Sequence, residues 1–265
     1  MSDVLRIHDD GHVRILQLNR PEKKNALSDE LAWGIVEALR AATHEDDVWV
    51  IGITGTGDSF CSGLDLSGPG PNASPLSPQE QQLDDLGWVS RFLLTTRYEC
   101  DKPVVAGING VAVGAGLSLA LAADMRIAAR SALLIAGYPR IGASPDGGMS
   151  FTLPQLIGYE GAMRFLLENR TVDGEEAYRL GIVGEVVDDE RFEQRFREYC
   201  QLIAQRSPIT ARLTKRVVRA ATTPIDVEAH TRYELANIRR AFSSEDAQEA
   251  RRAFFERREP VFKGR

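Results

Sequence analysis

The stretch Lys102-Pro103-Val104-Val105-Ala106-Gly107-Ile108-Asn109-Gly110-Val111-Ala112-Val113-Gly114-Ala115-Gly116 decides the fold. Its first half is a run of β-branched and small apolar residues, the pattern of a strand buried on both faces. A glycine-rich turn follows, and then a helix of small residues from Gly114 to Ala123. A buried strand feeding through a tight turn into a helix is the repeating element of an α/β sheet.

Working outward, Val48 to Thr54 reads as another strand buried on both faces, and Met125 to Ala129 as a third. After a short apolar stretch, a helix is expected around Gly148 to Leu156. At the N-terminus, Val4 to Ile7 and Val13 to Asn19 read as short strands joined by a turn at His8-Asp9-Asp10-Gly11. A polar loop follows Arg20-Pro21. A helix then starts at Ser28, which can cap it, with Asp29 and Glu30 at its positive end and Leu31, Ile35 and Leu39 as an apolar stripe. Ser67 to Pro78 is rich in Gly, Pro and Ser and reads as a mobile loop, followed by a helix from Gln79 to Thr96. Beyond Asp173 the chain is mostly helical and strongly charged, with a helix over Glu245 to Arg258 before Pro260-Val261-Phe262-Lys263. The expected organisation is one continuous domain: an α/β core over 1–195 and a helical segment over 196–265.

A length of 265 residues suffices for one sizeable core. The formal net charge of −6 argues against nucleic acid as a main partner, because such proteins usually carry a basic face. Cys61, Cys100 and Cys200 are odd in number and form no CxxC pair, which argues for a reducing compartment and against a zinc site. The first residues lack the basic and apolar regions of a signal peptide, and no segment approaches the ~20 apolar residues of a membrane span. A cytoplasmic protein with no membrane partner is expected.

Four segments in this order resemble the crotonase (enoyl-CoA hydratase/isomerase) family. They are Leu18-Asn19-Arg20-Pro21-Glu22-Lys23-Lys24-Asn25-Ala26-Leu27, Phe60-Cys61-Ser62-Gly63-Leu64-Asp65-Leu66, the Lys102–Gly116 stretch, and Pro145-Asp146-Gly147-Gly148. The ending, Ala253-Phe254-Phe255-Glu256-Arg257-Arg258 with Phe262-Lys263, is also similar to the family's. The resemblance implies a spiral of ββα units with a helical C-terminal segment that assembles into trimers or dimers of trimers. It implies an acyl-coenzyme A thioester as substrate, with coenzyme A carried by the substrate and no prosthetic group.

Enolising a thioester puts negative charge on its carbonyl oxygen. Two converging backbone N–H groups stabilise that charge, and losing one such donor commonly costs about 3 kcal/mol in the barrier. The resemblance places the donors at Leu64 and at Ala115, where the family usually has glycine. The Gly114–Gly116 turn also suits close strand-to-helix packing, and Asp65 suits a carboxylate capping a local turn. Lys23, Lys24, Ala26, Ser62, Leu64, Asp65 and Leu66, with Phe262 and Lys263, are the positions the resemblance assigns to coenzyme binding. For either lysine alone, a solvated loop residue is an equal reading. The acyl pocket is expected from the Ser67–Trp88 segment.

The family's hydratases handle water with two glutamates, and the matching positions here are Ser118 and Tyr138. Serine is no general base near neutral pH, and tyrosine ordinarily titrates near ~10. The remaining carboxylate is Asp146. The resembling members with an aspartate here include isomerases that shift a double bond in acyl-CoA, ring-opening relatives of phenylacetate breakdown and a dehalogenase, in which the aspartate moves a proton or attacks the substrate; a single carboxylate suits a proton shuttle. Asp146 also suits a helix start, with Ser144 as cap and Pro145 in the first turn. Isomerisation is therefore expected first, with hydration by unusual acid/base groups or an inactive thioester-binding protein as alternatives. Ser118 as a peptidase nucleophile would need a histidine base, and His8, His12, His44 and His230 all lie outside the downstream core segment.

Overall fold

The computed structural model describes residues 3–67, 75–84, 86–222, 232, 236 and 238–265. Its centre is β3 (Val50–Gly55), buried at all six positions, and β5 (Val104–Ile108), buried at all five. Such runs are stable only when covered on both faces. They lie in a six-stranded sheet ordered β1-β2-β3-β5-β7-β10, formed with β1 (Leu5–Asp10), β2 (Val13–Leu18), β7 (Met125–Ala129) and β10 (Glu185–Val187). The β1–β2 hairpin is antiparallel, and all later pairings in this sheet are parallel.

A second sheet is ordered β4-β6-β8-β9, from β4 (Ser59–Cys61), β6 (Val111–Val113), β8 (Leu133–Ile135) and β9 (Val172–Asp173). Each unit therefore sends one strand to the first sheet, the next to the second, and then a helix. The β3–β4 unit is followed by α2 (Pro78–Leu83) and α3 (Gly87–Leu93), β5–β6 by α4 (Ala115–Ala122), and β7–β8 by α5 (Met149–Glu168). This is the spiral of ββα units. Because β4, β6 and β8 are parallel neighbours, the turns that follow them emerge side by side.

α1 (Asp29–His44) begins where Ser28 Oγ accepts from the Leu31 N–H at 3.3 Å, and it buries Leu31, Ile35 and Leu39. The C-terminal helices are α6 (Gly174–Leu180), α7 (Phe192–Ala204), α8 (Pro208–Ala220) and α9 (Glu245–Glu256). α7 runs through residue 195 and seats Phe196 against Gly52 and Gly107 of the central strands. Core and helical segment are thus continuous at that point.

Three local expectations are corrected. The first hairpin turns at Gly11-His12, because Asp10 pairs with Val13 across the strands and Asp9 is held by Arg14 at 2.8 Å. The helix expected over 79–96 is broken. The Asp84 carboxylate accepts from the N–H groups of Leu86 (3.1 Å) and Gly87 (3.2 Å), offering the backbone an alternative to continuing the helix. After α3 the chain widens into a π-helical turn, Leu94–Glu99. The helix expected around 148–156 runs on to Glu168, with non-helical backbone at Gly158. Residues 68–74 of the expected mobile loop lie outside the described residues.

Candidate active site

α4 is buried at all eight positions and points its N-terminus at the turn after β4. Its C-terminal carbonyls are capped by two arginines: Arg97 donates to Leu121 O (2.9 Å) and Ala122 O (3.2 Å), and Arg126 to Ala123 O (2.8 Å). Cations at that end complement the helix dipole, whose positive end then faces the site.

The Ser62-Gly63-Leu64 turn lies against that N-terminus. Gly63 has φ +93°, and a Cβ on it would stand 2.8 Å from Val113 O and 3.9 Å from Ala115 N. A side chain there would force the two strand ends apart, so glycine is what allows the turns to touch. Leu27 donates to Gly63 O (2.7 Å) and Asp65 to Leu27 O (3.0 Å), which fixes the peptides on either side of the Leu64 N–H. Among the described residues, neither the Leu64 nor the Ala115 N–H has an acceptor. Two free amides, one at a helix N-terminus, are thus held on adjoining turns. Such an arrangement can stabilise an oxyanion.

The loop ahead of α1 is knitted to this turn. Arg20 donates to Ala26 O (2.6 Å) and to Asp65 Oδ2 (2.8 Å). The other Asp65 oxygen accepts from Ser67 N (3.0 Å) and Ser67 Oγ (2.7 Å). The Ser67 donors, then Arg20, hold the Asp65 carboxyl well below the usual carboxylate range. Ser62 donates through its N–H to Lys24 O (3.0 Å) and through Oγ to Lys23 O (3.3 Å). Lys23 reaches Ser67 Oγ at 3.1 Å, and Lys24 pairs with Asp58 at 2.5 Å. Leu64 and Leu66 are exposed, at 50% and 69%. The structure thus gathers Lys23, Lys24, Ala26, Ser62, Leu64, Asp65 and Leu66 beside Ala115.

Phe262 and Lys263 are not brought there within the chain. Lys263 N donates to Asp246 Oδ1 (2.7 Å), and the next residue packs on Pro208 and Trp49. That tethers the tail at the start of β3, whereas the oxyanion turns lie beyond its end.

Ser118, Tyr138 and Asp146 form one cluster. Ser118 is fully buried on α4 and Tyr138 is 5% exposed. The Tyr138 hydroxyl donates to Asp146 Oδ1 at 2.9 Å. Ser118 Oγ lies 3.1 Å from the Tyr138 hydroxyl and donates to the Asp146 carbonyl oxygen at 3.0 Å. A Cβ on Gly147 (φ +60°) would stand 2.7 Å from Ser118 Cβ, so the turn bearing Asp146 lies directly on Ser118. Burial pushes the Tyr138 hydroxyl up, and burial raises the Asp146 carboxyl against the Tyr138 hydrogen bond that lowers it.

Asp146 is not in the first turn of α5. That helix starts at Met149 with Gly148 at its cap position, and Ser144 makes no capping bond. Among the described residues no histidine contacts Ser118: His8 meets Arg197 at 3.2 Å, His12 stacks on Trp49 at 3.6 Å, and His44 sits in the last turn of α1. His230 lies outside the described residues.

Two organising residues were hidden in the sequence reading. Arg20 is one. The other is Asn25, fully buried, which accepts from Arg20 N (2.8 Å) and donates to Thr56 O (2.9 Å) and Ser59 O (2.7 Å). The readable signal for Asn25 was an Asn in a polar loop, a residue that tolerates the left-handed backbone it adopts here.

Among the described residues no helix is long and apolar enough to cross a membrane, and no group of three or more His, Cys, Asp or Glu is placed to hold a metal. A family model described as enoyl-CoA hydratase/isomerase matches residues 9–265. Over 270 aligned residues the chain is 33% identical to the 1,2-epoxyphenylacetyl-CoA isomerase of Escherichia coli (strain K12), with 100% of each chain covered. It is 32% identical over 270 residues to a carnitinyl-CoA dehydratase of Salmonella heidelberg (strain SL476), again over 100% of both. The crystal structure of a probable enoyl-CoA hydratase/isomerase from Mycobacterium abscessus matches it with a TM-score of 0.88 at 30% identity, covering 100% of each chain.

Proposed function

This chain belongs to the enoyl-CoA hydratase/isomerase family of the crotonase superfamily, and from that premise we propose that it is an acyl-CoA isomerase. The observation that carries the reading is the cluster at Asp146. A hydratase needs two groups that hold and ionise a water. By the resemblance Ser118 and Tyr138 match those two positions, and each donates its hydroxyl proton to Asp146. One carboxylate remains, which suits proton transfer between two carbons.

In the proposed reaction a 3-enoyl-CoA lies with its thioester oxygen between the Leu64 and Ala115 amides. The Asp146 carboxylate removes the proton at C2, and the electron pair moves through the carbonyl to form an enolate held by the two N–H groups. The protonated Asp146 then returns that proton at C4, and the double bond settles between C2 and C3. No water enters the balance. Raising the Asp146 carboxyl by burial brings the acid and base forms closer in energy, as a shuttle requires.

Coenzyme A would lie along the 20–27 and 62–67 loops. Lys23 and Lys24 supply positive charge for phosphates, and Ala26 O keeps one lone pair beyond that used by Arg20. Phe262 and Lys263 would reach a coenzyme only across a subunit boundary, which fits a homotrimer or a dimer of trimers. The three cysteines are free and buried, with Cys61 pushed up to about 12 by burial, and that fits a cytoplasmic setting.

The test is a panel of saturated, 2-enoyl, 3-enoyl and aromatic acyl-CoA thioesters, separated by chromatography and read by mass spectrometry. The reading expects 3-enoyl-CoA to become 2-enoyl-CoA without change of mass. Gain of one water, giving 3-hydroxyacyl-CoA faster than any isomerisation, would replace it with a hydratase. Binding without turnover of any member would leave a thioester-binding protein.

A further inference from the structure

We propose that Tyr138 is a positioning residue that pins one carboxylate oxygen of Asp146, with Ser118 as its buried anchor, so that the other oxygen carries the proton in both directions. The inference rests on the reading of Asp146 as the proton shuttle and adds two residues that the shuttle depends on.

The geometry assigns the oxygens. Asp146 Oδ1 accepts from Tyr138 at 2.9 Å, and Oδ2 has no partner among the described residues. A carboxylate that must take a proton at C2 and return it at C4 gains from presenting the same oxygen to both carbons. Free rotation would exchange the two oxygens and let the proton escape to water. Donation to Oδ1 removes that freedom at the cost of one hydroxyl that is already buried.

Ser118 sets both ends of this device. Its hydroxyl donates to the Asp146 main-chain oxygen at 3.0 Å, and its Oγ stands 3.1 Å from the Tyr138 hydroxyl. Two hydroxyl protons serve three oxygen contacts, and both are given to Asp146. Gly147 lies against the Ser118 side chain, so the turn that carries Asp146 packs directly on this serine. Serine at 118, tyrosine at 138 and aspartate at 146 are thus one interdependent set.

The groups around Asp146 make its ionisation a clean readout. α4 presents Ser118, and α3 presents Val89 and Leu93 against the adjoining glycines; none of these titrates. Tyr138 is the one titratable side chain acting on the Asp146 carboxyl among the described residues. A hydrogen bond donated to a carboxylate favours its charged form. Deleting the hydroxyl therefore makes Asp146 harder to ionise, and a base must be ionised to act. The acid limb of the rate profile moves to higher pH.

The experiment compares wild type with Asp146→Asn, Tyr138→Phe and Ser118→Ala, each first checked for folding by circular dichroism. The rate of isomerisation of 3-enoyl-CoA in deuterated water is followed as a function of pH. Asp146→Asn should lose about 100-fold or more in kcat. Tyr138→Phe should lose about 10- to 100-fold in kcat with KM within about threefold, and its acid limb should rise by about half a pH unit or more. Ser118→Ala should move the same quantities in the same direction by less. Deuterium at C4, against transfer of the C2 proton, should increase in Tyr138→Phe. A purely structural role would lower the rate without moving the limb or the isotope ratio. If Asp146→Asn is dead while Tyr138→Phe keeps the wild-type kcat, limb and isotope ratio, the positioning role is overturned and the shuttle stands. If Asp146→Asn keeps its activity, the shuttle fails and the positioning role with it.

Discussion

The two halves of the candidate site are built from different material. The half that would hold the thioester is main chain: the Leu64 and Ala115 amides, brought together by Gly63 at φ +93° and by the N-terminus of α4. The half that would move the proton is side chain: Ser118, Tyr138 and Asp146, joined by contacts of 2.9 to 3.1 Å. Amides survive almost any change of the residue that bears them, provided the backbone keeps its course. Side-chain chemistry changes with one substitution. A site divided in this way could keep its binding half while its reaction changes, and the chain is similar to both an isomerase and a dehydratase.

The comparison breaks hardest at Asp146. Asp146→Asn should lower turnover by about 10²- to 10⁴-fold, the span of a lost general base. Asp146 is exposed as a residue, with its carboxyl only partly screened from solvent, and Asn can still accept from Tyr138, so the melting temperature should stay close to wild type. Steady-state kinetics beside thermal unfolding check both parts. Next comes Gly63→Ala. A Cβ 2.8 Å from Val113 O separates the two amides, so turnover should fall by about 10²- to 10³-fold. This variant should also lose about 1–2 kcal/mol in denaturant unfolding, because alanine resists positive φ.

The contrast sharpens at Leu64. If the donor is the amide, Leu64→Ala should keep kcat within about threefold, with any change confined to KM. A large fall in kcat would show that the side chain does chemistry the main-chain account denies it. The smallest effect belongs to Asp65. Its carboxyl is held low in the folded state by Ser67 and Arg20, so its contribution to stability is full above the unfolded value near ~3.9 and is lost as pH falls through the folded value. Asp65→Asn should therefore be less stable than wild type at neutral pH, and the gap should close below about pH 4 in acid-unfolding curves.

The strands and turns that carry the main-chain half were legible in the sequence for a physical reason, whereas Leu64 and Ala115 were assigned as donors only by the family resemblance. Buried parallel strands leave unbroken apolar runs, as at Val104–Ile108, and close turns leave glycines at fixed places, as at Gly63 and Gly114. The side-chain half was legible only as separate residues. The Tyr138–Asp146 contact spans eight positions, through a short 3-10 helix and an irregular turn with no long period to read, and Gly147 lets that turn lie on Ser118. The break after α2 was hidden too, since it depends on hydrogen bonds from Leu86 and Gly87 to Asp84 that override an acceptable helical pattern. Phe262 and Lys263 show a third kind of gap. Their tether to Asp246 and Trp49 keeps them from the oxyanion turns of their own chain, and sequence order alone does not say which distant segments meet.

The most direct test of the account is the fate of the C2 proton of 3-enoyl-CoA in water labelled with deuterium and oxygen-18. The account predicts 2-enoyl-CoA that carries no oxygen-18, with the C2 proton found in part at C4, and loss of this conversion in Asp146→Asn. A 3-hydroxyacyl-CoA carrying oxygen-18 as the main product, or unchanged conversion by Asp146→Asn, would contradict it.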